Sequence, residues 1–290
     1  MKGILPVGCG QCLPCRINRT RLWTHRILLE SRCHQFSSFV TLTYAGLSPT
    51  GSQLIPRHYV QWLKRLRKST GGKFRYFVVG EYGDENQRAH FHAALFGYPP
   101  CPYGNYKFCP FSYCKVCRTM EKNWGHGSVA VGELARESAA YIAGYVTKKM
   151  TLVDDPRLQG RHPEFAQMSR KPGIGALAVP SIVDTLTTDG GCESIRRAGD
   201  VPLSLQHGRK SMPLGRYLRS KIRTTLGASS EEIAKAQMQK FAQEMRELLE
   251  KARFNPATAK KTARAIVNEM NAQPILNMET RFKIRKARSL

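Results

Sequence analysis

The sequence predicts an α+β protein: a mostly antiparallel sheet of about five strands with flanking helices, a cysteine-rich insertion and a helical C-terminal region with a basic tail. Three observations predict it. Short β-branched and aromatic runs alternate with segments of helical period. Two of those runs are joined by a brief polar turn, which favours a hairpin. A cluster of cysteines then interrupts the pattern as an inserted knuckle over about 98–118.

Taken in order, residues 16–35 read as a basic amphipathic helix, with Ile17, Leu22, Trp23, Ile27 and Leu28 among Arg16, Arg19, Arg21 and Arg26. Phe39 to Tyr44 reads as a strand ended by a Gly46/Pro49/Gly51 turn. Pro56 opens a helix through Lys68, and Gly71-Gly72 stops it. Phe74–Glu81 and Ala89–Phe96 are the hairpin strands, Gly127–Gly132 is a fourth strand, and Glu137–Lys149 is a helix. Residues 154–228 carry many Pro and Gly and read as loops with short elements. Ser229-x-x-Glu232 is a capping box, followed by a helix to about Arg253 and a second over roughly 257–271. The last ten residues, with Arg281, Lys283, Arg285, Lys286 and Arg288, read as a solvated arm able to bind phosphates. The domains on this reading are 1–176, a loop-rich connecting segment 177–228, and a helical region 229–290.

Composition narrows the function. Of 290 residues, 46 are Lys or Arg and 21 are Asp or Glu, giving a formal charge of +25. Such an excess points to a polyanionic partner, by default nucleic acid. With 41% apolar residues the chain can build a core and is not a disordered one. The longest apolar run, Gly173 to Val183, is too short to cross a bilayer, and the N-terminus has no apolar core of a secretory signal. The pattern G-x-x-x-x-G-K-[ST] does not occur, which argues against a built-in ATP-driven helicase.

Two cysteine groups have metal-ligand spacing. Cys101, Cys109, Cys114 and Cys117 offer a full tetrahedral set for structural zinc. Cys9, Cys12 and Cys15 offer three thiolates in seven residues, with His25, Cys33 or His34 as a possible fourth ligand, or one ion shared by both groups. Reduced, unliganded thiols are the alternative.

His90 and His92 alternate onto one face of their strand, about 7 Å apart, close enough to converge on one divalent ion. Two structural histidines in a half-buried strand are the alternative. On the helix that follows, Tyr141, Tyr145 and Lys148 share a face, with Lys149 about 80° away. A lysine beside a phenol favours the phenolate and pairs with phosphate, which a tyrosine nucleophile needs; plain packing is the alternative.

A histidine–hydrophobic–histidine strand, preceded by Phe39-Val-Thr-Leu-Thr43 and followed by Tyr141-x3-Tyr145-x2-Lys148, resembles the HUH endonucleases that start rolling-circle replication. Further motifs extend the likeness: Cys9-Gly-Gln-Cys-Leu-Pro-Cys-Arg16, Gly80-Glu-Tyr-Gly83, Glu137-Ser-Ala-Ala-Tyr141 and Met168-Ser-Arg-Lys-Pro-Gly-Ile-Gly175. Together they look like the replication initiators of the Microviridae, in particular the gokushoviruses, from about residue 6 to 176. One departure is that the chain begins close to the Cys9 motif, where relatives usually have a leading segment.

The resemblance implies that 1–176 is an HUH endonuclease domain. It implies that His90 and His92 bind Mg²⁺ or Mn²⁺ with Glu81 as third ligand, Asp84 or Glu85 being substitutes. Tyr141 and Tyr145 would alternate as nucleophiles, and Lys148 or Lys149 would stabilise phenolate and phosphate. The products would be a 5′-phosphotyrosine link and a free 3′-hydroxyl that primes the host polymerase. Implied partners are single-stranded DNA, the viral origin, and the host helicase and polymerase, with no membrane, in the host bacterial cytoplasm. Arg57, Lys64, Arg65, Arg67 and Lys68 are candidates for a groove that tracks the DNA backbone. Tyr44, Tyr76 and Phe91 are candidates to stack bases, with core packing the expectation for Phe91. Competing readings are a transposase or relaxase of the same superfamily, and a non-catalytic zinc-containing single-strand-binding protein.

Overall fold

A computed structural model describes residues 8–46, 53–83, 87–104, 109, 114–145, 156–228 and 230–287. It falls into two compact units. One spans Arg19–Ile222; the other joins the described residues before Arg19 to those from Arg223 onward.

The first unit is built on an antiparallel five-stranded sheet. Its strands are β1 (Ser37–Thr43), β2 (Arg75–Tyr82), β3 (Ala89–Phe96), β4 (Val129–Glu133) and β5 (Phe165–Met168), in the order β4-β1-β3-β2-β5. The α+β class and the five antiparallel strands agree with the sequence reading. Helices α1 (Leu13–Ser31), α2 (Pro56–Thr70), α3 (Lys115–Trp124) and α4 (Arg136–Tyr145) flank the sheet. α1 begins and ends a few residues before its expected span, and everything after Tyr145 up to residue 155 lies outside the described residues.

Strand alternation divides the core in two. Val40, Leu42, Val78, Phe91, Ala93 and Leu95 face α2 and α3, which supply Tyr59, Trp62, Leu66, Met120 and Trp124. Phe39, Phe77, Val79, Ala94 and Phe96 face Ile27 of α1 and Ala139, Ile142 and Ala143 of α4. Each large side chain buried this way contributes about 1.5–3 kcal/mol. Gly80 is the close-approach point: a Cβ there would sit 2.7 Å from the Phe165 ring, so β5 packs tightly against β2 because residue 80 has no side chain.

The motif that follows β5 is an anchor. Buried Glu30 pairs with Arg75 and accepts a hydrogen bond from the Gly175 amide at 2.6 Å, while Arg26 Nε donates to Ile174 O at 2.9 Å. Gly175 has φ 82°, and a Cβ there would press on the Arg26 backbone at 3.1 Å.

The structure differs from the sequence reading in three places. α3 forms within the cysteine-rich segment, which is therefore not all loop. The segment 177–228 is no loop-rich connector: it holds α5 (Val179–Leu186), α6 (Asp189–Ala198), the hairpin β6 (Ser204–His207) with β7 (Lys210–Pro213), and α7 (Gly215–Thr225). Its Pro and Gly punctuate helices rather than prevent them: Pro180 lies in the first turn of α5, and Gly199 at φ 67° closes α6. Third, α8 (Ser230–Phe254) and α9 (Ala263–Ala287) fill the C-terminal region, and α9 runs on through Pro274. Residues 281–287, expected as a solvated arm, are thus the last turns of a helix. One proline removes a single helical donor, and the helix-forming residues around it carry the helix past. Ser229 of the expected capping box lies outside the described residues.

Candidate metal and nucleophile site

The hairpin β2–β3 assembles the centre of the site. In its register Glu81 stands opposite His90, and on the other flank Thr41 of β1 stands opposite His92. All four side chains point to the α1/α4 face. Glu81 Oε1 lies 2.6 Å from His90 Nε2 and 2.9 Å from His92 Nε2. The structure therefore brings together the three residues expected as metal ligands, with their ligand atoms within 4.8 Å of one another.

The protonation states follow from the contacts. Burial alone would raise the Glu81 carboxyl, but hydrogen bonds from His90 and His92 outweigh it and hold the group below its ordinary range, as an anion. Burial works against a charged His90, yet the Glu81 bond and charge overcome it and raise its value. His92 is nearly inaccessible, and there burial prevails and lowers it. The outer ring nitrogens are also engaged: His90 Nδ1 donates to Arg88 O at 2.9 Å, and His92 Nδ1 lies 3.0 Å from Thr41 Oγ1. Such contacts turn both Nε2 atoms inward. Phe39 stacks on His92, with centroids 5.5 Å apart and planes at 8°, and fixes the ring plane.

A divalent cation fits this cluster. Glu81 Oε2 is buried and has no hydrogen-bond partner among the described residues, so one carboxylate oxygen is left with its desolvation uncompensated beside two imidazole nitrogens. Glu81, His90 and His92 are the residues that would hold it.

α4 delivers the phenols. Tyr141 Oη lies 3.4 Å from His92 Nε2, and Tyr145 donates its hydroxyl hydrogen bond to Tyr141 Oη at 2.8 Å. The helical four-residue spacing makes this possible, since it stacks the two rings on one face. They are not equivalent: Tyr141 is 45% exposed and Tyr145 only 9%. Lys148, Lys149, Asp84 and Glu85 lie outside the described residues.

The α2 cations are placed elsewhere. α2 packs on the sheet face opposite the cluster, so Arg57, Lys64, Arg65, Arg67 and Lys68 do not line it. Arg65 donates to Asn123 O and Trp124 O, and Arg67 to Phe74 O, which makes both ties between elements. Arg57, Lys64 and Lys68 are exposed. Periodicity could not reveal the face, because which side of a sheet a helix covers is decided by connections, not by the helix. Tyr44 and Phe91 are buried in the α2/α3 core, and Tyr76 packs partly buried beside them.

Both cysteine groups do form clusters. The sulfurs of Cys101, Cys109, Cys114 and Cys117 lie within 4.8 Å of one another, as do those of Cys9, Cys12 and Cys15, and either set could hold a structural metal. Burial pushes the Cys117 thiol up. Backbone amides of Cys12 and Gln11 bring the exposed Cys9 thiol down to about 7. None of the suggested fourth ligands joins the three-cysteine set. His25 Nδ1 accompanies Pro213 O and its Nε2 meets His207 Nε2 at 3.0 Å; Cys33 donates to Leu29 O; His34 pairs with Glu30.

Thr41, Phe39 and Arg88 support the site and escaped the sequence reading. The signal for Thr41 was its parity: it sits on the same strand face as Phe39 and Thr43, one strand away from the histidines.

Residues 37–150, the span of the hairpin, the histidines and the tyrosines, match the family model of the replication-associated protein ORF2. The chain is related to phage replication-associated proteins. It is 31% identical over 180 residues to the replication-associated protein ORF2 of Spiroplasma virus 4, covering 58% of this chain and 55% of that one. The replication-associated protein VP4 of Bdellovibrio phage phiMH2K is 28% identical over 176 residues, with the same two shares of 58% and 55%. The replication-associated protein ORF4 of Chlamydia phage 1 is 30% identical over 158 residues, 51% of this chain and 39% of that one. The chain thus spans about half the length of the first two of these replication-associated proteins. No solved structure matches it. Among the described residues no helix is long and apolar enough to cross a membrane.

Proposed function

We propose that this chain is an HUH-type rolling-circle replication initiator of a small single-stranded DNA phage, which nicks the viral origin by tyrosine transesterification and later rejoins the strand. The observation that carries the reading is the 3.4 Å approach of Tyr141 Oη to His92 Nε2, at the edge of a cluster with an unpartnered buried carboxylate oxygen. Replication-associated relatives across residues 37–150 support it.

Tyr141 is the phenol exposed to a DNA strand, and its oxygen accepts a hydrogen bond from Tyr145. That bond strengthens as negative charge grows on Tyr141 Oη, which favours the phenolate. The phenolate attacks the scissile phosphorus; the new bond is Tyr141 Oη–P, and the P–O3′ bond breaks. The 3′-oxygen leaves, takes up a proton, and becomes the primer end for a host polymerase. The phosphodiester is exchanged, not hydrolysed, so the reverse step can join strands, with Tyr145 as second nucleophile. Mg²⁺ or Mn²⁺ held by Glu81, His90 and His92 would polarise a phosphoryl oxygen and neutralise developing charge. Lys148 and Lys149 are proposed to pair with the phosphate. The partners on this reading are single-stranded origin DNA and the host helicase and polymerase, in the bacterial cytoplasm.

The test uses the full chain with labelled oligonucleotides that tile its genome strand, in Mn²⁺. An SDS-resistant protein–DNA adduct is expected from at least one of them. Tyr141→Phe together with Tyr145→Phe should abolish it; an undiminished adduct moves the nucleophile elsewhere and refutes the reading.

A further inference from the structure

The two ends of α3 are fixed by different means. At the C-terminal end Trp124 Nε1 donates to Thr43 O at 3.1 Å, and Asn123 Nδ2 donates to Ser69 Oγ at 2.9 Å. The other end is held by sulfur. Cys114 is its N-cap, and Cys114 Sγ accepts from the Cys117 amide at 3.2 Å, while the Cys114 amide points at Cys109 Sγ at 3.5 Å.

We propose that Cys101, Cys109, Cys114 and Cys117 bind one Zn²⁺ as a closed tetrathiolate site that pins the N-terminal end of α3 to the chain leaving β3. Four thiolates around zinc at about 2.3 Å place their sulfurs about 3.8 Å apart. Cys101 Sγ and Cys114 Sγ are 3.8 Å apart, and all four sulfurs fall within 4.8 Å. That separation is nearly twice a disulfide bond of about 2.05 Å. Three of the four cysteines are buried, so the set has no open position for water and suits a structural ion. Amides directed at sulfur, and the positive end of α3 beside Cys114 and Cys117, complement the negative charge of the complex. The balance is simple: four thiols release four protons, and one zinc ion with four thiolates carries a net charge of −2.

The Cys9, Cys12 and Cys15 set is different in kind, with three ligands, two of them exposed. The bound zinc is assigned to the other four. Its presence is independent of the cleavage chemistry, since zinc content and helix docking are read without DNA.

The experiment compares two multiple variants of the full chain purified without chelator. Elemental analysis should find zinc at about one per chain in Cys9→Ser/Cys12→Ser/Cys15→Ser and none in Cys101→Ser/Cys114→Ser. Zinc retained by the second variant, or missing from the first, overturns the proposal. Should the second variant fail to fold, cobalt exchanged into the first is the decisive measurement. It should show the intense visible bands and sulfur-to-metal charge transfer of a tetrahedral thiolate site, and their absence refutes it. Removal of zinc from the first variant should raise amide exchange in residues 115–124 and leave 90–94 protected; unchanged exchange in α3 would refute the pinning.

Discussion

Thr41 has no charge and takes no part in the chemistry, yet it decides which nitrogen of His92 faces inward, through the 3.0 Å contact at Nδ1. Thr41→Val keeps the shape and removes that contact. Mn²⁺ affinity should fall about 10- to 100-fold, whereas Thr41→Ser should stay close to the parent; titration calorimetry on the two proteins checks it. The tyrosines differ in a way that also yields an expectation. Because Tyr145 donates to Tyr141 Oη, Tyr145→Phe should slow the first adduct about tenfold, the loss of roughly 1.5 kcal/mol from a hydrogen bond to a charged oxygen. Tyr141→Phe should eliminate most of it. Mass spectrometry of the DNA-linked peptide should find Tyr141 carrying the phosphate, and a peptide modified mainly at Tyr145 would reverse the order of use. The spacing of His90, His92, Tyr141 and Tyr145 was legible in the sequence, since strand and helix periods alone put each pair on one face. The pairing of Glu81 with His90 came from the family resemblance and is explained by the hairpin register.

At the level of elements, Glu30 and the β6–β7 hairpin are informative. Glu30 joins α1 to Arg75 of β2 and to the Gly175 amide, all with a buried carboxylate. Glu30→Ala would leave Arg75 beside an empty partner position and should destabilise the protein by about 3 kcal/mol, measured by urea unfolding. The hairpin is held to α1 through His25 Nε2 and His207 Nε2, 3.0 Å apart, an arrangement that works only if at most one of the two rings is charged. Burial lowers His25, and burial followed by Arg32 and Arg136 lowers His207. The unfolded chain therefore binds these protons at higher pH than the folded one. The contribution of the pair is complete above the ordinary histidine value of about 6.5 and is lost as pH falls below it. Side-chain NMR should show both rings titrating below that value, and a midpoint above it for either ring contradicts the packing. Helices α5 to α7 show why the sequence misled here: cap residues and loop residues are the same Gly, Pro and Thr, and only a following run of packed apolar positions tells them apart.

For the whole molecule, the charge of +25 governs how it meets DNA. Counterion release should weaken single-strand binding by about two orders of magnitude or more between roughly 50 and 200 mM salt. The α2 cations lie across the sheet from the cluster, so Lys64→Ala with Lys68→Ala should flatten that salt slope slightly while adduct formed per bound DNA stays unchanged. Fluorescence anisotropy alongside the adduct assay separates the two effects. The sequence by itself determined the residue types, their periodicity and the net charge. From these came the strands, the first helices, the paired histidines and tyrosines and the cysteine spacing, because period and propensity are local properties of the chain. Only the tertiary structure decided that α4 lies over the histidine face and α2 beneath the other, that Tyr141 is open while Tyr145 is covered, and that four distant cysteines meet at the foot of α3. Those facts depend on which surfaces bury one another, and burial is fixed by the entire fold.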